Sequence, residues 1–209
     1  MHCAHNVAAG PLSHARHSTV IVWQHPMVSI APMDRTPTMF ARFDLAEYRL
    51  CRGMNGVAAH RSLRLLMQTA SRLGDGVFWY ALMALLPIIY GAAGVRCALL
   101  MAATGIAGLL LYRALKHWLV RERPFIRHPG ITLAMPPLDR YSFPSGHTLH
   151  AVCFTWQIAA QFPELAWVVV PFALLVAASR VVLGLHYPTD VGAGALIGAA
   201  LGACGHALV

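Results

Sequence analysis

The sequence predicts an all-α protein, a polytopic membrane helical bundle of about five transmembrane helices preceded by an amphipathic helix. Two observations carry this. Of 209 residues, 57% are hydrophobic and only 11% charged, with a mean hydropathy of +0.57, a balance too apolar and too charge-poor for an ordinary soluble domain. The second is that stretches free of Asp, Glu, Lys and Arg recur as runs of 15 to 20 residues between Gly76 and Val209.

Residues 1–40 contain His2, His5, His14, His17 and His25 but no ordered sequence of basic region, apolar core and small-residue cleavage site. Their histidine spacing fits no metal-site pattern. A disordered extension is expected here, or a start placed upstream of a chain that begins near Met33 or Met39. Residues 41–209 are expected to form the membrane domain. Within it, Phe40–Ala59 and Arg61–Leu73 lead in; Leu63, Leu66, Met67 and Ala70 recur at helical spacing between Arg61, Arg64 and Arg72. The second stretch therefore suits a membrane surface, or a cap on the bundle.

Gly76–Val95 is the first spanning run, long enough for ~30 Å of hydrocarbon at ~1.5 Å per residue. Arg96 ends it, and Cys97–Tyr112 follows, extended to about Lys116. After a loop come Thr148–Pro163, Leu165–Ser179 and Val191–Val209. The three shorter runs could each be a core helix of a soluble domain, but five runs in succession, the last polar only at His206, favour lipid. Gly194, Gly198 and Gly202 form a small-residue stripe expected to pack on another span of the same chain. Cys3, Cys51, Cys97, Cys153 and Cys204 are scattered and odd in number, which indicates neither a disulfide framework nor a zinc site. The net charge of +8 is spread along one membrane face, so anionic lipid headgroups are the expected partner rather than nucleic acid.

Three short stretches stand out for chemistry. Lys116 is followed after six residues by Arg123-Pro124, then Pro144-Ser145-Gly146-His147, then Ser179-Arg180 with His186 and Asp190. Between them they supply what phosphoryl transfer requires: fixed cations, amide donors, a proton donor, and a histidine backed by a carboxylate. Span parity places all three on one membrane face. Pro144–His147 enters a helix, where free amides and the positive end of the helix dipole make an anion pocket. His186 and Asp190 lie four apart, so one helical turn brings the carboxylate to one imidazole nitrogen and leaves the other for substrate. Arg113 reads instead as an interfacial anchor and His150 as a helix-lining residue; His117, His128 and His206 have no partner at an interpretable spacing. The Pro-rich segment from Arg123 to Ser145 reads as a loop whose Phe125, Ile126, Ile131, Leu133 and Met135 rest on the bilayer or pack on the protein.

The three-part pattern resembles the signature of the type 2 phosphatidic acid phosphatase and vanadium haloperoxidase superfamily, in its membrane lipid phosphatase branch, with every signature position filled. By that resemblance His186 attacks phosphorus to form a phosphohistidine, Asp190 orients it, and His147 protonates the leaving group and then activates water. Lys116, Arg123, Ser145, Gly146 and Arg180 hold the phosphate oxygens. The resemblance implies no cofactor and no metal, since three cations already balance the phosphate charge. The implied substrate is a membrane lipid phosphomonoester or pyrophosphate, hydrolysed in the bilayer. A lipid phosphotransferase on the same site is the nearest alternative, a non-catalytic lipid-binding protein a more distant one, and the soluble, longer haloperoxidases are disfavoured by the five spans.

The expected location is the cell's inner membrane as a multi-pass protein. Arg42, Arg49, Arg52, Arg61, Arg64, Arg72, Arg113, Arg121, Arg127 and Arg140 fall on the motif face against Arg96 opposite, which favours a cytoplasmic active site.

Overall fold

The computed structural model describes residues 38–207, with side chains from residue 47 onward. The expectations for the N-terminal histidines, Cys3 and the start near Met33 lie outside the described residues, as does the side chain of Arg42. The described chain is all-helical, with no strand beyond a lone antiparallel bridge between Glu122 and Tyr141.

The two lead-in stretches are helices α1 (Thr38–Gly56) and α2 (Arg61–Arg72), separated by a short 3₁₀ turn. α2 buries Ala70 and Ser71 against the bundle while Leu63, Leu65 and Leu66 stay exposed. It caps the bundle on one side and presents apolar surface on the other. A π-helical turn over Leu73–Val77 joins it to α3 (Phe78–Trp118), with Gly76 at φ 137°. That angle lies where side-chain-bearing residues are strained.

α3 contains both of the first two expected spans, but the turn between them falls at Gly91 (φ 54°, ψ −130°), ahead of the expected Arg96. Gly91 takes the left-handed angle and Pro87 withholds a backbone donor just before it, so the helix breaks there rather than at the first charge. Beyond the break Gly94 packs on the carbonyl of Leu86, and the two arms fold back on each other.

A four-residue helix, α4 (Pro124–Arg127), opens the loop that follows. Three helices complete the fold: α5 (Gly146–Gln161), α6 (Ala166–Val182, preceded by a 3₁₀ turn at Pro163–Leu165) and α7 (Pro188–Ala207). Trp79, Leu86, Met101, Phe154, Ile158 and Val176, from α3, α5 and α6, form the main core. The glycine stripe of α7 lies on α5: Gly194 faces the Ser145 carbonyl, Gly198 that of Leu149 and Gly202 that of Cys153. Two rows with the same four-residue spacing interlock, and a Cβ at Gly198 would overlap a carbonyl oxygen. Two described stretches are long and apolar enough to cross a membrane by length and composition: Arg61–Trp118 and Pro163–Val182.

The loop between α4 and α5 is tied to the bundle rather than laid loosely over it. The Asn55 amide donates to the carbonyls of Thr132 and Val182 and accepts from Thr132 N, and Gln68 donates to the Ala134 carbonyl. Ile131 is buried with Cys51, Val181 and Tyr187, whereas Ile126 and Leu133 are exposed. One expected fate, packing on the protein, is thus met by Ile131, while Ile126 and Leu133 remain exposed.

Candidate active site

A cavity of about 440 Å³ opens between the arms of α3 and the ends of α5 and α6. Its polar end is lined by Lys116, Arg123, Gly146, His147, Arg180 and His186, six of the eight residues singled out from sequence. Asp75, Asp139 and His150 also line it, and the rest of the wall is mostly apolar, with Trp79, Met83, Met101, Ile106, Leu109 and Phe154. Ser145 and Asp190 lie directly behind. Each element delivers its group from an end: Lys116 from the last turn of α3, Arg123 just before α4, Gly146 and His147 from the first turn of α5, Arg180 from the last turn of α6, Asp190 from the first turn of α7.

His186 is buried, 1% exposed. Its Nδ1 lies 3.6 Å from Asp190 Oδ2 and its Nε2 3.3 Å from Arg123 Nη1. One nitrogen thus faces the carboxylate and the other the cavity. Burial, then Arg123, Arg180 and Lys116, push the imidazole well below its ordinary pKa. A neutral ring with Nδ1–H turned to Asp190 leaves an unprotonated Nε2 in the cavity, the form able to attack an electrophile.

Two of the three cations meet one carboxylate. Lys116 Nζ and Arg123 Nη2 each lie 2.6 Å from an Asp139 oxygen, and Arg123 also donates to the carbonyls of Asp139 and Leu185. Burial would raise the Asp139 carboxyl, but the two cations outweigh it and hold the group below the usual carboxylate range. A planar carboxylate thus bridges Lys116 and Arg123 through charge-assisted contacts. Arg180 donates to Ser71 Oγ, and its Nε is buried with no hydrogen-bond partner.

At the head of α5, Ser145 N donates to the Asp190 carbonyl (3.0 Å) and Ser145 Oγ pairs with Thr148 Oγ1 (3.0 Å). The serine hydroxyl is turned to its own helix, and the first-turn amides beside Gly146 lie at the helix N-terminus. His147 Nε2 lies 3.2 Å from Asp75 Oδ1. His150 sets its ring nitrogens 3.0 Å from the carbonyls of Gly146 and Gly105 and lines the wall.

Arg121 corrects the sequence expectation. Read there as one of the basic residues on the motif face, it is fully buried. Its Nη1 lies 2.5 Å from Asp190 Oδ1 and 2.7 Å from Thr189 Oγ1, its Nη2 2.8 Å from Glu47 Oε2, and its guanidinium stacks 4.0 Å over the Tyr187 ring. Glu47 also accepts from Thr189 N at 2.6 Å. Asp190 Oδ2 accepts from Tyr187 N at 2.8 Å, so the carboxylate behind His186 is held on both oxygens. Asp75, Asp139 and Glu47 were likewise missed. The available signal was scarcity: in a chain with eight acidic residues, those outside an obvious surface have cations to neutralise.

Comparison with known proteins identifies the family. The family model described as the PAP2 superfamily matches residues 93–209. A protein named undecaprenyl-diphosphatase BcrC from Bacillus subtilis is 32% identical over 146 residues, covering 69% of this chain and 74% of its own. An undecaprenyl-diphosphatase from Sulfolobus acidocaldarius is 30% identical over 158 residues, covering 75% and 71%. Among solved structures, Aquifex aeolicus LpxE superimposes with a TM-score of 0.66 at 26% identity, covering 77% of this chain and 94% of its own. With the family model spanning more than half the chain and the three motifs converging on one cavity, the chain belongs to the PAP2 superfamily, the group of type 2 phosphatidic acid phosphatases whose signature its motifs carry.

Proposed function

We propose that the protein is an integral membrane phosphatase that hydrolyses a polyprenyl pyrophosphate through a phosphohistidine on His186. The observation that carries this is the cavity itself, with Lys116, Arg123 and Arg180 gathered at one end and a mostly apolar wall beyond. A phosphate group fits among Lys116, Arg123, Arg180 and the amides of Gly146 and His147, and a hydrocarbon chain fits the wall of Trp79, Met83, Met101 and Ile106. Two relatives named for undecaprenyl pyrophosphate support the choice of lipid.

His186 Nε2 attacks the terminal phosphorus as the bridging P–O bond breaks, and the leaving oxygen takes a proton from His147. Asp190, pinned by Arg121 and Tyr187 N, stabilises the charge that develops on His186. Water then attacks the phosphohistidine, giving its proton to His147, and inorganic phosphate leaves. Fixed cations around the phosphate supply the charge balance.

Exposed Ile88, Leu99, Ile106, Leu110, Trp167 and Leu196 on α3, α6 and α7 support lipid-facing helices. The two arms of α3, with α5, α6 and α7, make up the proposed five spans. Setting the buried Arg121 aside leaves the arginine asymmetry in the same direction, which favours a cytoplasmic site; a reporter fused after Val209 that works in the cytoplasm would reverse this.

The test is phosphate release by detergent-purified protein from undecaprenyl pyrophosphate, phosphatidic acid and phosphatidylglycerol phosphate, with EDTA present. The pyrophosphate is expected to be the best substrate, with release surviving EDTA and lost in His186→Ala. Preference for a diacyl lipid would overturn the substrate assignment, and dependence on added metal would overturn the mechanism.

A further inference from the structure

The turn between α2 and α3 brings a carboxylate into an anion-binding cavity. Asp75 is 47% exposed by side chain, lines the cavity and faces His147 Nε2 at 3.2 Å. Its placement is dictated by the turn. Gly76 holds φ 137°, and Gly74 lies so close to the Val176 side chain that a Cβ there would collide. A negative charge in this position weakens the binding of an anionic substrate, so its presence calls for a compensating gain.

The surroundings of His147 identify that gain. Lys116 from the end of α3, Arg180 from the end of α6, and His186 from the turn before α7 all face it, and His150 lies one turn along its own helix. A histidine that is buried and ringed by cations sheds its proton, and a neutral imidazole has no proton to give a leaving group. Asp75 is the carboxylate in contact with it. We infer that Asp75 is a positioning residue that aims His147 at the leaving oxygen and opposes the loss of its proton. The inference rests on the reading of His147 as the general acid.

The proton balance closes over the cycle. In the first half, the P–O bond to the leaving group breaks, its electron pair stays on oxygen, and oxygen takes the Nε2 proton of His147. The neutral His147 then accepts a proton from the attacking water as the P–N bond to His186 breaks. The imidazolium is restored beside Asp75, ready for the next substrate.

This assigns Asp75 an effect that depends on the leaving group. An alkoxide needs protonation, whereas p-nitrophenolate departs with little help and the phosphate released from a pyrophosphate needs less than an alkoxide, so an alkyl phosphate is the substrate that exposes the effect most clearly. The experiment compares a long-chain alkyl phosphate with p-nitrophenyl phosphate as substrates for wild type, Asp75→Asn, Asp75→Glu, His147→Ala and His186→Ala. Asp75→Asn is expected to lower kcat on the alkyl phosphate about 30-fold, less than the ~10²–10⁴ of losing the general acid outright, and on p-nitrophenyl phosphate only about threefold. The alkaline limb of its kcat/KM profile on the alkyl phosphate moves to lower pH, KM does not rise, and Asp75→Glu recovers part of the loss.

Equal loss on both substrates, or no loss, while His147→Ala remains selective for the alkyl phosphate, overturns the role of Asp75 alone. Loss without selectivity in His147→Ala overturns the general-acid reading and this inference with it. His186→Ala is inactive on both substrates in either case, which separates these failures from that of the nucleophile. Should Asp75→Asn not fold, Asp75→Ser carries the same comparison.

Discussion

Arg121 joins α1, the segment after α3 and the first turn of α7 through one guanidinium, and Arg121→Met removes that junction while keeping an unbranched apolar chain. Two carboxylates then lose their cation, Asp190 with no exposure and Glu47 with an 11% exposed side chain. Breaking a buried ion pair from one side costs about 3–5 kcal/mol, because the remaining charge stays buried. For a domain of this size, ~2–4 °C per kcal/mol translates that into a fall of about 10 °C in Tm. Arg121→Lys keeps the charge but cannot engage both carboxylates and the Tyr187 ring together, so about half the loss is expected. Adding Asp190→Asn to Arg121→Met removes one orphaned charge and should recover part of the stability, a non-additivity read from the double-mutant cycle. The assay is thermal unfolding of detergent-purified protein under identical lipid and salt. A loss below about 1 kcal/mol in Arg121→Met, or strict additivity with Asp190→Asn, would refute the reasoning that Arg121 holds these carboxylates as charges.

Further outcomes follow from other contacts. Gly198→Val should destabilise the fold by about 1–3 kcal/mol, since its Cβ meets the Leu149 carbonyl; a Tm equal to wild type would mean α5 and α7 are free to separate. Asp139→Asn removes the carboxylate that bridges Lys116 and Arg123 and should lower the inhibition constant of inorganic phosphate by about threefold to tenfold, whereas weaker inhibition would make Asp139 a required orienting group. The same carboxyl has its pKa lowered from 3.8 by those cations. Its stabilisation is therefore present in full above the ordinary value and is lost as pH falls through the lowered one. The Tm difference between wild type and Asp139→Asn should be constant from about pH 5 to 8 and shrink below about pH 4; growth of that difference on acidification would contradict the assignment.

The helices were legible because lipid-length apolar runs and a four-residue glycine stripe are local patterns, and α1, α2, α5, α6 and α7 start or end within a few residues of the runs that announced them. The convergence of Lys116, Arg123, His147, Arg180 and His186 was legible for a different reason, since parity of the spans puts their helix ends on one face. The break at Gly91 was not, because Arg96 offered a charge as the natural turning point while the backbone turned where glycine allowed it. Arg121 was hidden by its neighbourhood. Two residues from Arg123 in a basic stretch, it has the sequence profile of a membrane-surface arginine, and its burial depends on Glu47 and Asp190, 74 residues before and 69 after it. Asp75 and Asp139 were hidden likewise, since ion pairs across distant segments leave no periodic trace.

The most direct test of the central claim is trapping of the covalent intermediate. His147→Ala protein, in which the mechanism expects hydrolysis of the intermediate to be slow, is mixed with substrate labelled in the terminal phosphate, quenched in base and mapped by peptide mass spectrometry. A base-stable, acid-labile phosphate on His186, absent from His147→Ala combined with His186→Ala, is the result predicted. Label on another residue, or label retained without His186, would contradict it.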